Sequence, residues 1–437
     1  MKWISLAARA IAALAILPLA MACDGPAADD GRHEKIVWMM PLDQKMKPMI
    51  DGMVAEFERD NPTVAVEMLW VPSQQYQTKF KTLVAAGLTP DLFYCGDVWV
   101  AYLRPFLLDI TPYVERDQEE LQLDDFYPEL LEACQVDGRY LYLPRYFNVS
   151  LLYYNVGLFE QAGMPIPTAD WTWDDYTKTS LAMQEKFAHD RGLWASDIVT
   201  GWWGEWLIFV RQSGGDFFDP TGTKSGLDSP EAIRGLQHYY DKVYAHRIAP
   251  RPGFRPEKGF ASGVFALSQG GHAGDWYWYR QVEGLEWDVQ LLPIGPTGRA
   301  GGEFAVDAIG IAKSSLHPEA AWGLMKRVVS VEGIRSHADL GFPPVRKSVA
   351  EATMLKGEPG KRSQSPQHAE TLYEALKYAV PIPRHPDFIQ VAIQLVQPEI
   401  DMMLEGKQTP AEAARRAASA TNRFLETVAA RSPEGNP

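Results

Sequence analysis

The chain has 437 residues, of which 46% are hydrophobic and 22% are charged, as in an ordinary soluble globular protein. This length exceeds what one hydrophobic core usually supports, so two lobes are expected. The formal net charge of −14 argues against nucleic acid as a partner, because binding the phosphate backbone requires clustered Lys and Arg.

The N-terminus has the features of a secretion signal. Lys2 and Arg9 make it positively charged, and residues 10–22 are apolar. A run of about thirteen apolar residues is too short to span a bilayer, and Pro18 would break a spanning helix. A signal is therefore favoured over a membrane anchor.

A cleavage pattern follows directly. Residues 20–22 have the form Ala-x-Ala, and Cys23 comes next, which resembles the bacterial lipobox whose cysteine takes a lipid. We predict a signal peptide over residues 1–22, with lipidated Cys23 starting a polar tether over residues 23–32. The protein would then be held at a membrane in the periplasm or at the cell surface. The alternative is secretion of a soluble protein with Cys23 as a free thiol.

Strands and helices alternate in the first hundred residues. Apolar runs and helical spacings predict a strand at 35–40, a helix at 46–57, a strand at 64–68, a helix from Ser73 and a strand at 91–95. This order predicts right-handed βαβ crossovers and a parallel sheet.

The later elements are a strand at 150–155, mostly helical segments up to about residue 250, and strand-rich stretches at 287–293 and 304–312. Thr409 and Glu412 have the spacing of a capping box and begin a last helix. Three cysteines form no disulfide framework. Cys95 and Cys134 are expected as buried free thiols, with one disulfide as the alternative.

Five stretches together resemble the extracellular solute-binding proteins of ATP-binding cassette (ABC) importers, specifically the carbohydrate-binding group that is similar to maltose-binding protein. They occur in the family's order and cover most of the chain. The stretches are Phe-Glu-Arg-Asp-Asn-Pro at 57–62 with 86–93, Asp-Gly-Arg-Tyr-Leu-Tyr-Leu-Pro at 137–144 with 153–163, Gly-Gly-Asp-Phe-Phe at 214–218 with 228–232, 260–276, and 318–322 with 341–346.

The resemblance implies an α/β fold of two lobes, joined by a hinge of several segments, with the ligand held in the cleft between them. By analogy the N-terminal lobe is 33–145 plus 300–343 and the C-terminal lobe is 146–299 plus 344–430. The crossings are expected near 145–149, 293–303 and 342–347. It further implies a monomer that binds a carbohydrate and delivers it to the transmembrane subunits of a permease.

Aromatic faces suit the C–H patches of a sugar, and planar polar side chains suit its hydroxyls. Tryptophans cluster at three places, and by the resemblance Trp276, with Trp202 or Trp203, are the expected sugar platforms. The full set of candidate ligand contacts is Trp276, Trp202, Trp203, Trp206, Trp38, Trp99, Tyr76, Gln75, Asp97, Asn148, Glu303 and Arg346. For each tryptophan the alternative is packing in the core, for Asp97 a helix cap, and for the hinge residues hydrogen bonding between lobes.

Other functions are weighed against this one. The sequence has no Gly-x-Ser-x-Gly elbow, no His-Glu-x-x-His helix, no Cys-x-x-Cys and no phosphate loop, so we expect no catalysis, no metal and no cofactor. A secreted glycosidase is the enzyme alternative. A sugar phosphate or glycerol phosphate is an alternative ligand, because its phosphate could be bound by Arg145, Arg280 or Arg346. A polyamine is another alternative, because the net charge of the chain is negative. A structural or sensor lipoprotein is the remaining alternative.

Overall fold

The computed structural model describes residues 34–187, 192–254, 259–355 and 366–431. The predicted signal peptide, Cys23 and the tether lie outside these residues. Within them, no helix is both long and apolar enough to cross a membrane.

The strands are β1 Glu34–Pro41, β2 Val64–Val71, β3 Leu92–Tyr94, β4 Gln135–Val136, β5 Arg139–Tyr140, β6 Tyr142–Asn155, β7 Trp194–Ser196, β8 Phe265–His272, β9 Trp287–Gln290, β10 Glu303–Ile311 and β11 Val380–Pro381. The helices are α1 Lys47–Asp60, α2 Tyr76–Ala85, α3 Asp97–Leu103, α4 Thr111–Arg116, α5 Gln118–Leu121, α6 Pro128–Ala133, α7 Val156–Ala162, α8 Trp173–Lys186, α9 Trp203–Gln212, α10 Pro230–Tyr244, α11 Trp276–Tyr279, α12 Pro318–Val329, α13 Val331–Asp339, α14 Lys347–Ala350, α15 Thr371–Ala375, α16 Phe388–Val391, α17 Gln397–Leu404 and α18 Pro410–Arg431.

The first lobe begins with the predicted strand–helix alternation. β1 pairs in parallel with β2 on one side and with β3 on the other, as the βαβ pattern predicts. The sheet as a whole is mixed, because β10 lies between β3 and β6 and runs antiparallel to both. The parallel pairing predicted for β1, β2 and β3 is therefore confirmed, and the antiparallel strand beside β3 comes from much later in the chain.

The strand β6 belongs to both lobes. Its first part, Tyr142–Val149, pairs with β10, and its second part, from Ser150, pairs with β8 and β9. β8 also pairs in parallel with β7. The two sheets therefore share one continuous strand, at the place where the first hinge crossing was expected.

Three clusters of buried hydrophobic residues fill the lobes in the described part of the chain. The largest cluster surrounds β1, β3, β10 and the first part of β6, and it includes Val349 and Leu372. A second cluster lies between α9, α10, α16, α17 and α18, and after β11 the chain contributes to it again from Ile382. A third cluster lies around the second part of β6, α7 and α8. The chain thus stays beside the first core for some distance after residue 347. The lobe limits and crossings expected from the resemblance remain predictions.

Two further expectations are confirmed by the packing. Cys95 and Cys134 are both buried, and no disulfide joins them. Thr409 and Glu412 form the predicted capping box, in which the Glu412 carboxylate accepts from the Thr409 N–H at 2.9 Å and the Glu412 N–H donates to the Thr409 hydroxyl at 3.3 Å. The helix that follows, α18, is the last of the fold.

Candidate functional site

Two cavities open at the carboxyl ends of strands. A cavity of about 660 Å³ lies on the C-terminal lobe and is bounded by the segment after β7, the end of β8, and α11. A second cavity of about 230 Å³ lies on the N-terminal lobe, at the ends of β1 and β3 and against Arg145 and Tyr146 of β6. In open α/β sheets this is the edge where ligands bind.

Lys45 lies between a loop that lines the small cavity and a tryptophan that lines the large one. It follows Asp43 in the loop after β1, where the Asp43 carboxylate accepts the Lys45 N–H at 2.8 Å. The Lys45 ammonium lies 5.9 Å from the ring centre of Trp278 on α11 and 4.9 Å from that of Phe342. Such distances allow cation–π attraction, so the contact joins the C-terminal lobe, the N-terminal loop and the expected hinge.

The large cavity has an aromatic surface. Trp202, Phe260, Trp278 and Tyr279 line it, and Trp278 is 59% exposed, which is unusual for a large apolar side chain. Gly270 of β8 lies opposite Trp202, and a Cβ added there would stand 3.4 Å from the indole ring. Aromatic rings that are packed at one edge and open on a face are suited to stack on a flat apolar ligand surface.

Polar groups of the large cavity come from two segments. Asp197 and Ser268 line it together, and the Ser268 hydroxyl donates to Asp197 Oδ2 at 2.5 Å. Asp197 Oδ1 is buried, and it has no hydrogen-bond partner among the residues that the structure describes. Burial raises the pKa of this carboxyl, although the positive charge of Lys242 opposes the shift. Asp275 and Gln281 are the other polar side chains of the wall.

The small cavity is built around a buried ion pair. Arg145 Nε donates to Asp307 Oδ1 at 2.8 Å, and a second guanidinium nitrogen meets the same oxygen. The Tyr76 hydroxyl lies 3.2 Å from the Tyr94 carbonyl oxygen, and its ring meets Trp99 edge-on at 5.1 Å. Because Asp307 already neutralises Arg145, this guanidinium is held in place rather than left open to an anion.

Of the predicted ligand contacts, Trp202 lines the large cavity, and Tyr76 and Trp99 line the small one. Asn148 is half-buried, and its side-chain oxygen accepts the Gly274 N–H at 3.2 Å, just before α11. Gln75 is exposed at the start of α2. Glu303 is buried, and its backbone N–H donates to the Ser150 hydroxyl at 3.0 Å.

Four predicted tryptophans are buried instead. Trp276 has no exposed surface, and its indole N–H donates to the Tyr153 hydroxyl at 2.8 Å. Trp206 donates to the Gln397 side chain at 3.0 Å within the second core. Trp203 packs edge-on against Phe388 in that core, and Trp38 lies in the first core. The tryptophans that line the large cavity are instead Trp202 and Trp278.

Arg346 lines neither of these two cavities. Arg346 is buried, and its guanidinium donates to the carbonyl oxygens of Val329 and Leu121, both at 2.8 Å. It also pairs with Asp125 at 3.3 Å, so its contacts lie inside the N-terminal lobe. Asp97 begins α3, but its side chain lies outside the described part of the chain.

The residues that sequence reasoning missed are Asp197, Trp278, Lys45 and Phe260. Trp278 lies in one of the three tryptophan clusters, two residues after Trp276, and Phe260 begins one of the family-like stretches. No local pattern distinguished Asp197 or Lys45. Across the described residues, no group of three or more His, Cys, Asp or Glu side chains is placed to hold a metal ion.

The sequence profile of the family described as bacterial extracellular solute-binding protein matches residues 43–333, most of the chain. The chain belongs to this family. The predicted resemblance is thereby confirmed, and the match runs from the loop of Lys45 through both cavity walls into α13.

Curated relatives of this solute-binding protein include two that are named for oligosaccharides. An arabinooligosaccharide-binding protein of Halalkalibacterium halodurans is 29% identical over 231 residues, which cover 52% of this chain and 50% of the relative. The chain thus matches about half the length of that relative. A maltotriose-binding protein of Pyrococcus abyssi is 24% identical over 346 residues, which cover 76% of this chain and 71% of the relative.

Solved structures extend the likeness to the whole fold. An ABC substrate-binding protein of Listeria monocytogenes in complex with cycloalternan has a TM-score of 0.75 at 25% identity, covering 90% of this chain and 99% of the other. The maltose-bound MalE3 of T. maritima has a TM-score of 0.70 at 25% identity, covering 91% and 100%. The two-lobe α/β fold predicted from the sequence is therefore confirmed.

Proposed function

We propose that this protein captures a sugar, a mono- or oligosaccharide, in the cleft between its lobes and delivers it to an ABC permease. The observation that carries the proposal is the wall of the large cavity. There the open aromatic rings of Trp202 and Trp278 stand beside the carboxylate of Asp197. This combination offers stacking for sugar C–H faces and an acceptor for sugar hydroxyls, and the sugar-bound structural relatives support it.

Capture would proceed by closure rather than by chemistry. A ligand that touches both walls favours the conformation in which the lobes approach each other. Lys45 of the loop after β1 already lies 5.9 Å from the ring centre of Trp278, so this distance would change as the lobes approach each other. Delivery to permease subunits and anchoring through a lipid on Cys23 belong to the same proposal, with the signal sequence and family membership in its support.

A phosphorylated ligand is less well supported. Arg145 pairs with Asp307 and Arg346 pairs with Asp125, so neither guanidinium is left uncompensated for a phosphate. Asp197 and Asp275 in the wall of the large cavity would repel an anion. A polyamine would be attracted by these carboxylates, and the experiment below includes it.

The test is a thermal-shift and calorimetric screen of the purified chain without residues 1–23. Maltose, maltotriose, arabinotriose, glucose, glycerol 3-phosphate and spermidine are compared. A ligand at a hundredfold over its dissociation constant adds about 2.7 kcal/mol of stability, which is readily detected. A saccharide recovered chemically intact supports the proposal. Binding of only spermidine or only glycerol 3-phosphate would overturn the sugar assignment, and hydrolysis of the sugar would indicate an enzyme.

A further inference from the structure

The tryptophan that precedes α9 folds back over the first turn of its own helix. Trp202 is the N-cap residue, with an extended backbone at φ −137° and ψ 126°, and Gly204 is the second residue of α9. A Cβ placed on Gly204 would stand 2.5 Å from Cε2 of the Trp202 ring and closer still to Cζ2 and Cη2. Carbon atoms that are not bonded stay about 3.5–4.0 Å apart. The six-membered ring of Trp202 therefore occupies the space that any other residue at position 204 would fill with its Cβ.

A second glycine bounds the same ring on the side of the sheet. A Cβ placed on Gly270 of β8 would stand 3.4 Å from Cζ3 of Trp202 and 3.3 Å from Cβ and Cγ of Glu205. The ring thus contacts both the helix and the strand at positions that carry no side chain. Because Trp202 and Gly270 both line the large cavity, these contacts set how the indole is presented to a ligand.

The residue types in this turn do not favour the helix. Ser, Thr, Asp and Asn are preferred at an N-cap because their side chains accept backbone N–H groups, whereas the indole of Trp202 can only donate. Glycine within a helix costs more conformational entropy on folding than alanine does. Gly204 has a helical backbone that alanine adopts without strain, so the turn does not need glycine for its own conformation. What requires glycine at this position is the ring of Trp202.

We propose that Gly204 is a positioning residue, whose missing side chain lets the Trp202 ring take its place in the wall of the ligand cavity. A methyl group at position 204 would force the ring to move, and the contact with Gly270 prevents movement toward the sheet. The ring would then turn away from the wall or into the cavity, and either movement removes the surface on which a sugar stacks. The inference rests on the proposed function for its ligand. It makes that surface depend on a buried residue behind it.

The first experiment measures the dissociation constant of maltotriose, or of arabinotriose if it binds more tightly, by calorimetry. Gly204→Ala should lose about tenfold in affinity, as expected for the loss of an aromatic hot spot. Gly52→Ala is the matched control, because Gly52 is an exposed glycine of α1, and among the described residues no atom outside its own helix turn lies within 4 Å of a Cβ placed there. This variant should keep the wild-type affinity. Unchanged affinity in Gly204→Ala would overturn the proposal.

A double-mutant cycle separates the placement of the ring from damage to the helix. When Trp202 is already Ala, a methyl group at position 204 has no ring to displace, so Gly204→Ala should change affinity by less than about twofold. In that background it should raise the midpoint of urea unfolding, as Gly52→Ala does in wild type, because alanine favours the helix. Equal losses of affinity with and without Trp202 would mean that Gly204 acts independently of the ring, and would overturn the proposal.

A ligand-free measurement separates this inference from the proposed function. Fluorine NMR of protein labelled with fluorotryptophan resolves single indole rings, and the Trp202 resonance is identified by its loss in Trp202→Phe. This resonance should shift in Gly204→Ala and coincide with wild type in Gly52→Ala. An unshifted Trp202 resonance in Gly204→Ala would refute the role of Gly204 even if sugars bind. Failure of every saccharide to bind wild type would refute the sugar function, while the resonance would still decide whether Gly204 positions the ring.

Discussion

Replacing Trp276 by Ala tests whether this tryptophan is part of the core or part of the ligand surface. The ring has no exposed surface, packs 5.9 Å from the Trp287 ring centre, and donates to the Tyr153 hydroxyl. Truncation of a fully buried Trp costs about 3–5 kcal/mol, and about 1 kcal/mol of that is the hydrogen bond. We expect Trp276→Ala to lower the free energy of unfolding by about 4 kcal/mol.

Trp202→Ala is the matched comparison, because Trp202 lines the cavity and is only partly buried. We expect it to cost about 1 kcal/mol of stability or less, and to weaken saccharide binding by about tenfold or more, as for an aromatic hot spot. Urea unfolding followed by far-UV circular dichroism gives the first quantity and calorimetry gives the second. The reasoning would be refuted if Trp276→Ala kept its stability but lost its affinity for saccharides. Trp276 would then have to become exposed to the ligand when the ligand binds.

Three further predictions concern buried ionisable side chains. Asp307→Asn should cost about 3–5 kcal/mol of unfolding free energy because it leaves Arg145 buried without its partner, whereas Asp124→Asn at an exposed site should cost almost nothing in the same urea titration. His337 is buried, and its pKa is lowered to about 3, mainly by burial and further by the charge of Arg145. As pH falls below about 6.5, His337 therefore becomes protonated in the unfolded chain before it does so in the folded protein. Stability should then decrease by up to about 1.4 kcal/mol per pH unit between pH 6 and pH 4 through this group, and His337→Gln should lower the slope of unfolding free energy against pH by that amount. Arg346→Met should lower unfolding free energy by about 2–3 kcal/mol through its lost bonds to Val329 and Leu121 without changing saccharide affinity; a large loss of affinity at normal stability would instead place Arg346 at the ligand.

Local periodicity was sufficient to predict the helices and strands themselves, but not to predict which strands pair with each other. The alternation from β1 to β3 and the capped start of α18 could be predicted because each depends on neighbouring residues. The insertion of β10 beside β3 could not, because Ile309 and Tyr94 meet only through the pairing of strands that are distant in the chain. The hydrophobic pattern of a strand indicates which of its faces is buried, but it does not indicate which distant strand lies beside it.

The candidate site was predictable as a region and not as a set of side chains. Trp276 and Trp278 stand two residues apart on α11, so they point in different directions, and composition cannot tell which of them faces the cleft. The structure buries the first and exposes the second. Asp197 becomes notable only because Ser268 and Gly270 of the adjacent strand β8 surround it.

Because β10 lies far along the chain from β3, the sheet of the N-terminal lobe cannot be completed early in synthesis. Until Glu303–Ile311 has been synthesised, β3 has no neighbour on one side, and the first part of β6 lacks the strand that joins it to β3. An uncovered strand edge pairs readily with other chains, and long-range pairing is slow. The nascent N-terminal half would therefore remain open and unable to complete its sheet until most of the chain is available.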